Sequence, residues 1–149
     1  MWFNETNSTE AQYNDKLIET LEEDHRFILA LLYDIQEDCN NKNYKSSLDK
    51  LEELITELKM HIFIENMNLY KYIVENSDEK DIEFSNKLKN SSVELIDIID
   101  SFASKWIEPD FDNSKCNIYI KELKEIEILI RKRMSFEEEK LFKLYIVKK

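Results

Sequence analysis

The sequence predicts an all-α protein, an antiparallel up-down-up-down four-helix bundle preceded by a short N-terminal arm. Three observations lead there. The 149 residues include no glycine and one proline, whereas tight β-hairpins lean on glycine at positive φ. Four long stretches carry apolar residues at three- and four-residue spacing, the period of a helix with one buried face. The segments between them are short and polar, which suits antiparallel neighbours in a single bundle. The length fits one domain with a substantial core.

Residues 1–14 are polar with scattered aromatics and read as an arm, with Trp2 and Phe3 placed to dock on the bundle. Residues 15–149 form the bundle. Its first helix starts after Asn14 or Asp15, either of which suits an N-cap, and buries Leu17, Leu21, Ile28, Leu32 and Ile35. His25 lies four residues after Leu21 and three before Ile28, on the same stripe. The polar run Asn40–Asn43 ends this helix. The second runs from about Ser46 or Ser47 to about Val74, with Leu48, Leu51, Ile55, Leu58, Ile62, Leu69 and Ile73 inward. The third spans 79–107, and its seam of Leu88, Ser92, Leu95, Ile99, Phe102 and Trp106 has near-heptad spacing. After Pro109 and the 110–115 connection, the fourth helix covers 116–146 and turns Leu123, Ile126 or Glu127, Ile130, Met134, Leu141 and Leu144 inward. Phe102, Trp106 and Phe111 gather near the end of the third helix, where they cap the bundle. Met60, Met67 and Met134 read as fillers of core gaps.

Charge excludes several function classes. There are 21 basic and 32 acidic residues, a formal net charge of -11. Nucleic acid needs a basic patch, and the densest basic run, Arg131–Arg133, directly precedes Glu137–Glu139. No apolar run approaches the roughly 20 residues of a membrane span. The first ten residues lack the basic and apolar regions of a signal peptide. A cytoplasmic location follows as the expectation, with Cys39 and Cys116 as free thiols and the Asn-x-Ser/Thr matches at Asn4, Asn7 and Asn90 without meaning. No Ser or Cys carries a nucleophile motif, so catalytic turnover is not expected.

The inward-facing polar residues carry the chemistry. His61 and Glu65 sit four apart in the second helix and share a face with Leu58 and Leu69. Arg133 and Glu137 repeat that spacing in the fourth, a weak internal echo in which arginine stands where the first motif has histidine. Glu137 points to the core, and Glu138 and Glu139 to the flank or to solvent. A buried carboxylate needs a counter-charge. Bundle cores build metal sites from such His and Glu side chains, and Arg133 offers the other kind of partner.

Asp24-His25 in the first helix, His61-x-x-x-Glu65 followed by Leu69-Tyr70, and Glu137-Glu138-x-x-Leu141-Phe142 together resemble the hemerythrin-like (HHE) domain over about residues 15–146. The resemblance implies a four-helix bundle around a non-haem di-iron centre. It also implies a role in carrying or sensing oxygen, in handling NO or iron, or in signalling. Residue by residue it makes His25 and His61 metal-binding histidines, and Glu65 and Glu137 bridging carboxylates. Full members of the family supply about five histidines, and this chain has two. Arg133 occupies the position of the fourth helix's histidine, and Ser91, Ser92 and Leu95 lie near those of the third. A complete di-iron site cannot be assembled. Two expectations follow. Either Fe or Zn binds at low occupancy among His25, His61, Glu65 and Glu137, in a regulatory or sensory protein, or no metal binds and Arg133 replaces it by forking between Glu65 and Glu137. The second describes a metal-free module for a protein partner. It is similar, over two short segments, to the anti-sigma-70 regulators.

Overall fold

A computed structural model describes residues 10–147 and 149. Four rods make the bundle. The first is α1, Leu17–Asn40. The second begins as α2, Tyr44–Ile64, passes through a π-helical turn, Glu65–Tyr70, and continues as α3, Lys71–Asn76. The third is α4, Glu79–Trp106. The fourth is α5, Asn113–Phe136, followed by a second π-helical turn, Glu137–Leu141, and α6, Phe142–Val147. Trp2 and Phe3 lie outside the described residues.

The helix ends have local causes. Asn14 does not cap α1 from the N-cap position; its Oδ1 accepts from Lys16 N at 2.9 Å and its carbonyl from Leu17 N at 3.1 Å. Ser47, expected near a helix start, is instead buried inside α2, where its hydroxyl donates to the Ile35 carbonyl and meets the Tyr119 hydroxyl at 3.2 Å. Asp78 caps α4 through Asp81 N, and Asp112 caps α5 through Ser114 N. At the C-terminus of α1, Asn43 N bonds to the Asp38 carbonyl and Lys42 N to that of Cys39. This Schellman turn requires a left-handed residue, a place that favours glycine. Lacking one, the chain puts Lys42 there at φ 66°.

Apolar packing falls into two clusters. The larger gathers residues such as Ile28, Leu32, Ile35, Leu51, Ile99, Tyr119 and Leu123. It ends in the expected aromatic cap, where Phe102, Trp106 and Phe111 pack edge or face against Tyr119. Cys39 and Cys116 are buried together at this end, with the Cys116 thiol 3.4 Å from the Cys39 carbonyl. The smaller cluster holds Leu17, Leu21, Leu69, Ile73, Phe142 and Tyr145. Tyr13 stacks on Tyr145 with ring centroids 4.6 Å apart, and the Asn14 amide donates to the Tyr145 hydroxyl, so the described part of the arm lies against this end. Met134 fills the core as expected, whereas Met60 and Met67 are half exposed.

The gap between the clusters is set by sequence order. His25 follows Leu21 of one cluster and precedes Ile28 of the other. Glu65 lies between Leu58 and Leu69, and Glu137 between Met134 and Leu141. Three rods thus contribute a polar residue at one level. The result is a buried polar layer across the middle of the bundle.

Candidate metal centre

His25 comes from α1, His61 from the last turn of α2, and Glu65 and Glu137 from the first positions of the two π-helical turns. All four are buried, Glu65 completely. A π-turn adds a residue to one helical turn and is frequent at functional sites. Both interruptions begin at a buried carboxylate, so the sequence echo between the second and fourth rods has a backbone counterpart.

The two imidazoles aim their Nε2 atoms at one point. These atoms are 3.1 Å apart, with His25 Nε2 2.8 Å from Glu137 Oε1 and His61 Nε2 3.1 Å from Glu65 Oε2 and 3.6 Å from Glu137 Oε1. The outer nitrogens are also held by carboxylates. His25 Nδ1 lies 2.6 Å from Glu138 Oε2, and His61 Nδ1 3.1 Å from Asp24 Oδ2. Carboxylates there favour the tautomer with the proton on Nδ1, which leaves the Nε2 lone pair for a cation.

One donor atom from each of His25, His61, Glu65 and Glu137 lies within 4.8 Å of the others, a cluster able to coordinate a metal ion. Tetrahedral ligands at about 2.0–2.1 Å from Zn²⁺ sit about 3.3 Å from one another. The observed separations scatter around that value. Beside the cluster is a cavity of about 10 Å³, bounded in part by Leu58, Leu95 and Ile130, with room for about one water-sized particle. Three buried carboxylate oxygens, both of Glu65 and Oε2 of Glu137, accept no well-directed hydrogen bond. Of these, Glu65 Oε2 faces the histidines, and with the donor chemistry and spacing it fits one cation.

The other side of the layer is taken by Arg133. Its Nε lies 3.0 Å from Glu137 Oε2 and its Nη2 3.7 Å from Glu65 Oε1. Each carboxylate therefore turns one oxygen toward the histidines and the other toward the guanidinium. The expected fork between the two carboxylates is only part of the geometry. Nη1 donates to the Leu88 carbonyl and to Ser91 Oγ, and Nη2 to the Tyr70 hydroxyl and to Ser92 Oγ. The α4 serines, which left no ligand on the third helix, are the seat of this arginine.

Electrostatics follow from the crowding. Burial lowers the proton affinity of both histidines, but the hydrogen bond and charge of Glu137, helped by Glu138 at His25 and Glu65 at His61, outweigh it. His25 is raised and His61 is pushed up to about 11. Burial and then the neighbouring Glu137 charge raise Glu65 to about 7. Glu137 moves the opposite way, because its bonds to both histidines and the Arg133 charge overcome the cost of burial. Without a metal, the layer holds protons where a cation fits.

Asp24, Glu138 and Tyr70 take part without having been singled out as site residues. Glu138 is half exposed, as its flank position suggests, yet its carboxylate reaches inward. Asp24 and Glu138 had one visible signal, an acid directly beside His25 or Glu137. Each serves a residue on another rod, which adjacency does not reveal.

A family model, described as the hemerythrin HHE cation-binding domain, matches residues 16–145. No curated protein and no solved structure matches the chain.

Proposed function

The chain belongs to the hemerythrin HHE cation-binding domain family, and we propose that it is a regulatory or sensory member that binds one cation beside a built-in guanidinium. The observation that carries this is the division of the carboxylate oxygens. Glu65 Oε2 and Glu137 Oε1 face the histidines, while Glu65 Oε1 and Glu137 Oε2 face Arg133. Two carboxylates that bridge a pair of metals in the family would here bridge a metal and an arginine. His25, His61, Glu65 and Glu137 hold the cation, and Asp24 and Glu138 orient the imidazoles.

Arginine stays protonated at physiological pH, so the second position carries a permanent positive charge. It leaves the two carboxylates with about one net negative charge, and its proximity opposes a divalent ion. Affinity is accordingly weak and occupancy low. Iron in the remaining position supplies sensitivity to redox state and to diatomic ligands such as oxygen or NO, while zinc supplies structure only. A cytoplasmic location is part of this reading. It is in line with two free thiols and with the absence, among the described residues, of a helix long and apolar enough to cross a membrane.

A second reading rests on the completeness of the Arg133 seat. With four hydrogen bonds and a carboxylate at 3.0 Å, the guanidinium fixes the layer without any metal. The protein would then be a metal-free module for a protein partner. Metal analysis after purification without chelator, followed by calorimetric titration with Zn²⁺ and anaerobic Fe²⁺, separates the two. The first reading expects saturation at one cation per chain with a rise in melting temperature. Saturation at two removes the role given to Arg133. No binding and no stabilisation leaves the metal-free module.

A further inference from the structure

Beside the polar layer, an apolar recess runs between α4 and α5. Its upper part encloses about 470 Å³ and is walled by Phe84, Leu88, Leu95, Ile98, Leu129 and Phe136. Ile98, Leu129 and Phe136 are each about two-fifths exposed and line this one recess, a contiguous apolar surface rather than scattered residues. A second recess of about 410 Å³ shares Ile98 and Leu129 and extends the trough to the Lys105–Glu122 ion pair. The two recesses together run along the α4–α5 seam, and their size lies in the range of small-molecule sites.

The charges along it are unevenly placed. Lys87, Lys132 and Arg133 line the upper part together with a single acid, Glu94, on a chain whose net charge is -11. The helix register gathers the cations at one end, because Arg133 on α5 bonds to Leu88 and Ser91 on α4, next to Lys87. Among the described residues, Lys87 makes a loose surface pairing with Glu83 at 3.7 Å. From Lys87 the apolar floor continues to Ile98, about 16 Å along α4 at 1.5 Å per residue.

A cationic end continuing into an apolar floor along the helix seam is complementary to a molecule with one anionic head and an extended apolar tail. We propose that the α4–α5 groove binds a free, linear, medium-chain carboxylate, with its head at Lys87 and Lys132 and its tail along Leu95, Ile98 and Leu129. The guanidinium of Arg133 is already committed to six partners, so the two lysines supply the head contact. A second copy of the chain is a poorer occupant, since two molecules of this charge repel. Arg133 and Leu95 wall both the groove and the small cavity beside the metal-binding cluster, so the bound tail lies one residue layer from the centre.

The test is an NMR titration of the full chain with sodium decanoate below its micellar range, with 1-decanol as the neutral control. Shift changes confined to residues 84–98 and 129–136, with decanoate bound about fivefold more tightly than decanol at low salt, are expected. A Lys87→Glu/Lys132→Glu double variant, altered only on the surface, should keep its melting temperature and lose that preference. Leu129→Trp, which fills the trough, should abolish binding of both compounds. Three results would overturn the proposal: no binding, shifts scattered over the bundle, or equal affinity for decanoate and decanol. So would concentration-dependent dimerisation that buries these residues, or capture of an amphipathic peptide helix in place of decanoate.

Discussion

Replacing Arg133 by histidine probes the polar layer most directly. In the metal-free protein the substitution removes a cation 3.0 Å from Glu137 and 3.7 Å from Glu65, both almost wholly buried. It also strips four donors from Leu88, Ser91, Ser92 and Tyr70. Removing one partner of a buried ion pair costs about 3–5 kcal/mol. At about 2–4 °C per kcal/mol for a domain of this size, the melting temperature in chelator should fall by about 6–20 °C. The same change adds an imidazole and removes the charge that opposes a second ion. Saturating Zn²⁺ at about 100 times its Kd should restore about 2.7 kcal/mol, and the metal-induced shift should exceed that of the parent protein. Differential scanning calorimetry of both proteins, with chelator and with metal, gives the four melting temperatures needed. An Arg133→His protein that melts with its parent in chelator would refute the role of the guanidinium as counter-charge. An equal response to metal in the two proteins would refute the claim that it holds a metal's place.

Asp24→Asn and Glu138→Gln should each weaken cation affinity by about 10–100-fold by loosening the imidazole that each orients, read by competition with a chromophoric chelator; unchanged affinity would leave both as surface acids. Proton linkage gives a further test. His61, pushed up to about 11, is protonated in the metal-free protein at neutral pH, and His25 is raised in the same direction by the Glu137 and Glu138 carboxylates. Their contribution to apo stability is present in full below the unfolded value near 6.5 and is lost as pH climbs through the folded value. Metal must displace those protons, so Zn²⁺ binding at neutral pH should release protons and weaken as pH falls; an enthalpy independent of buffer ionisation would contradict this. Lys42→Gly should stabilise the protein by about 0.5–1 kcal/mol by relieving the left-handed backbone at φ 66°, a gain of a few degrees in thermal melts.

Much of the architecture could be read along the chain because helical periodicity is a local property. The stripe of Leu17, Leu21, Ile28, Leu32 and Ile35 is buried throughout, as are His25 within it and His61, Glu65 and Glu137 on the second and fourth rods. The end of α4 fell within one residue of the expected boundary. Features that depend on other rods were not legible. A π-turn has no residue signature of its own, and nothing in Glu65–Tyr70 or Glu137–Leu141 distinguishes it from an α-helical turn. The reach of Arg133 to serines more than forty positions away depends on how closely α4 and α5 approach. Spacing indicated that Arg133 met the carboxylates, but not that each carboxylate would divide its oxygens between two cations. The apolar Met60 and Met67 illustrate the opposite error, since methionine on a helix fits a surface as readily as a core.

The polar layer also gives the bundle a waist. Above it, the cluster of Leu17, Leu69, Ile73, Phe142 and Tyr145 is the smaller of the two. A change of charge in the layer, whether a cation lost or a proton gained, therefore acts across the rods at one height. The short end, where Tyr13 stacks on Tyr145, should loosen before the long end does. Amide exchange would show this as an early opening confined to α3, α6 and the start of α1. A partner seated at that end would read the occupancy of the centre as stiffness, with little change in shape.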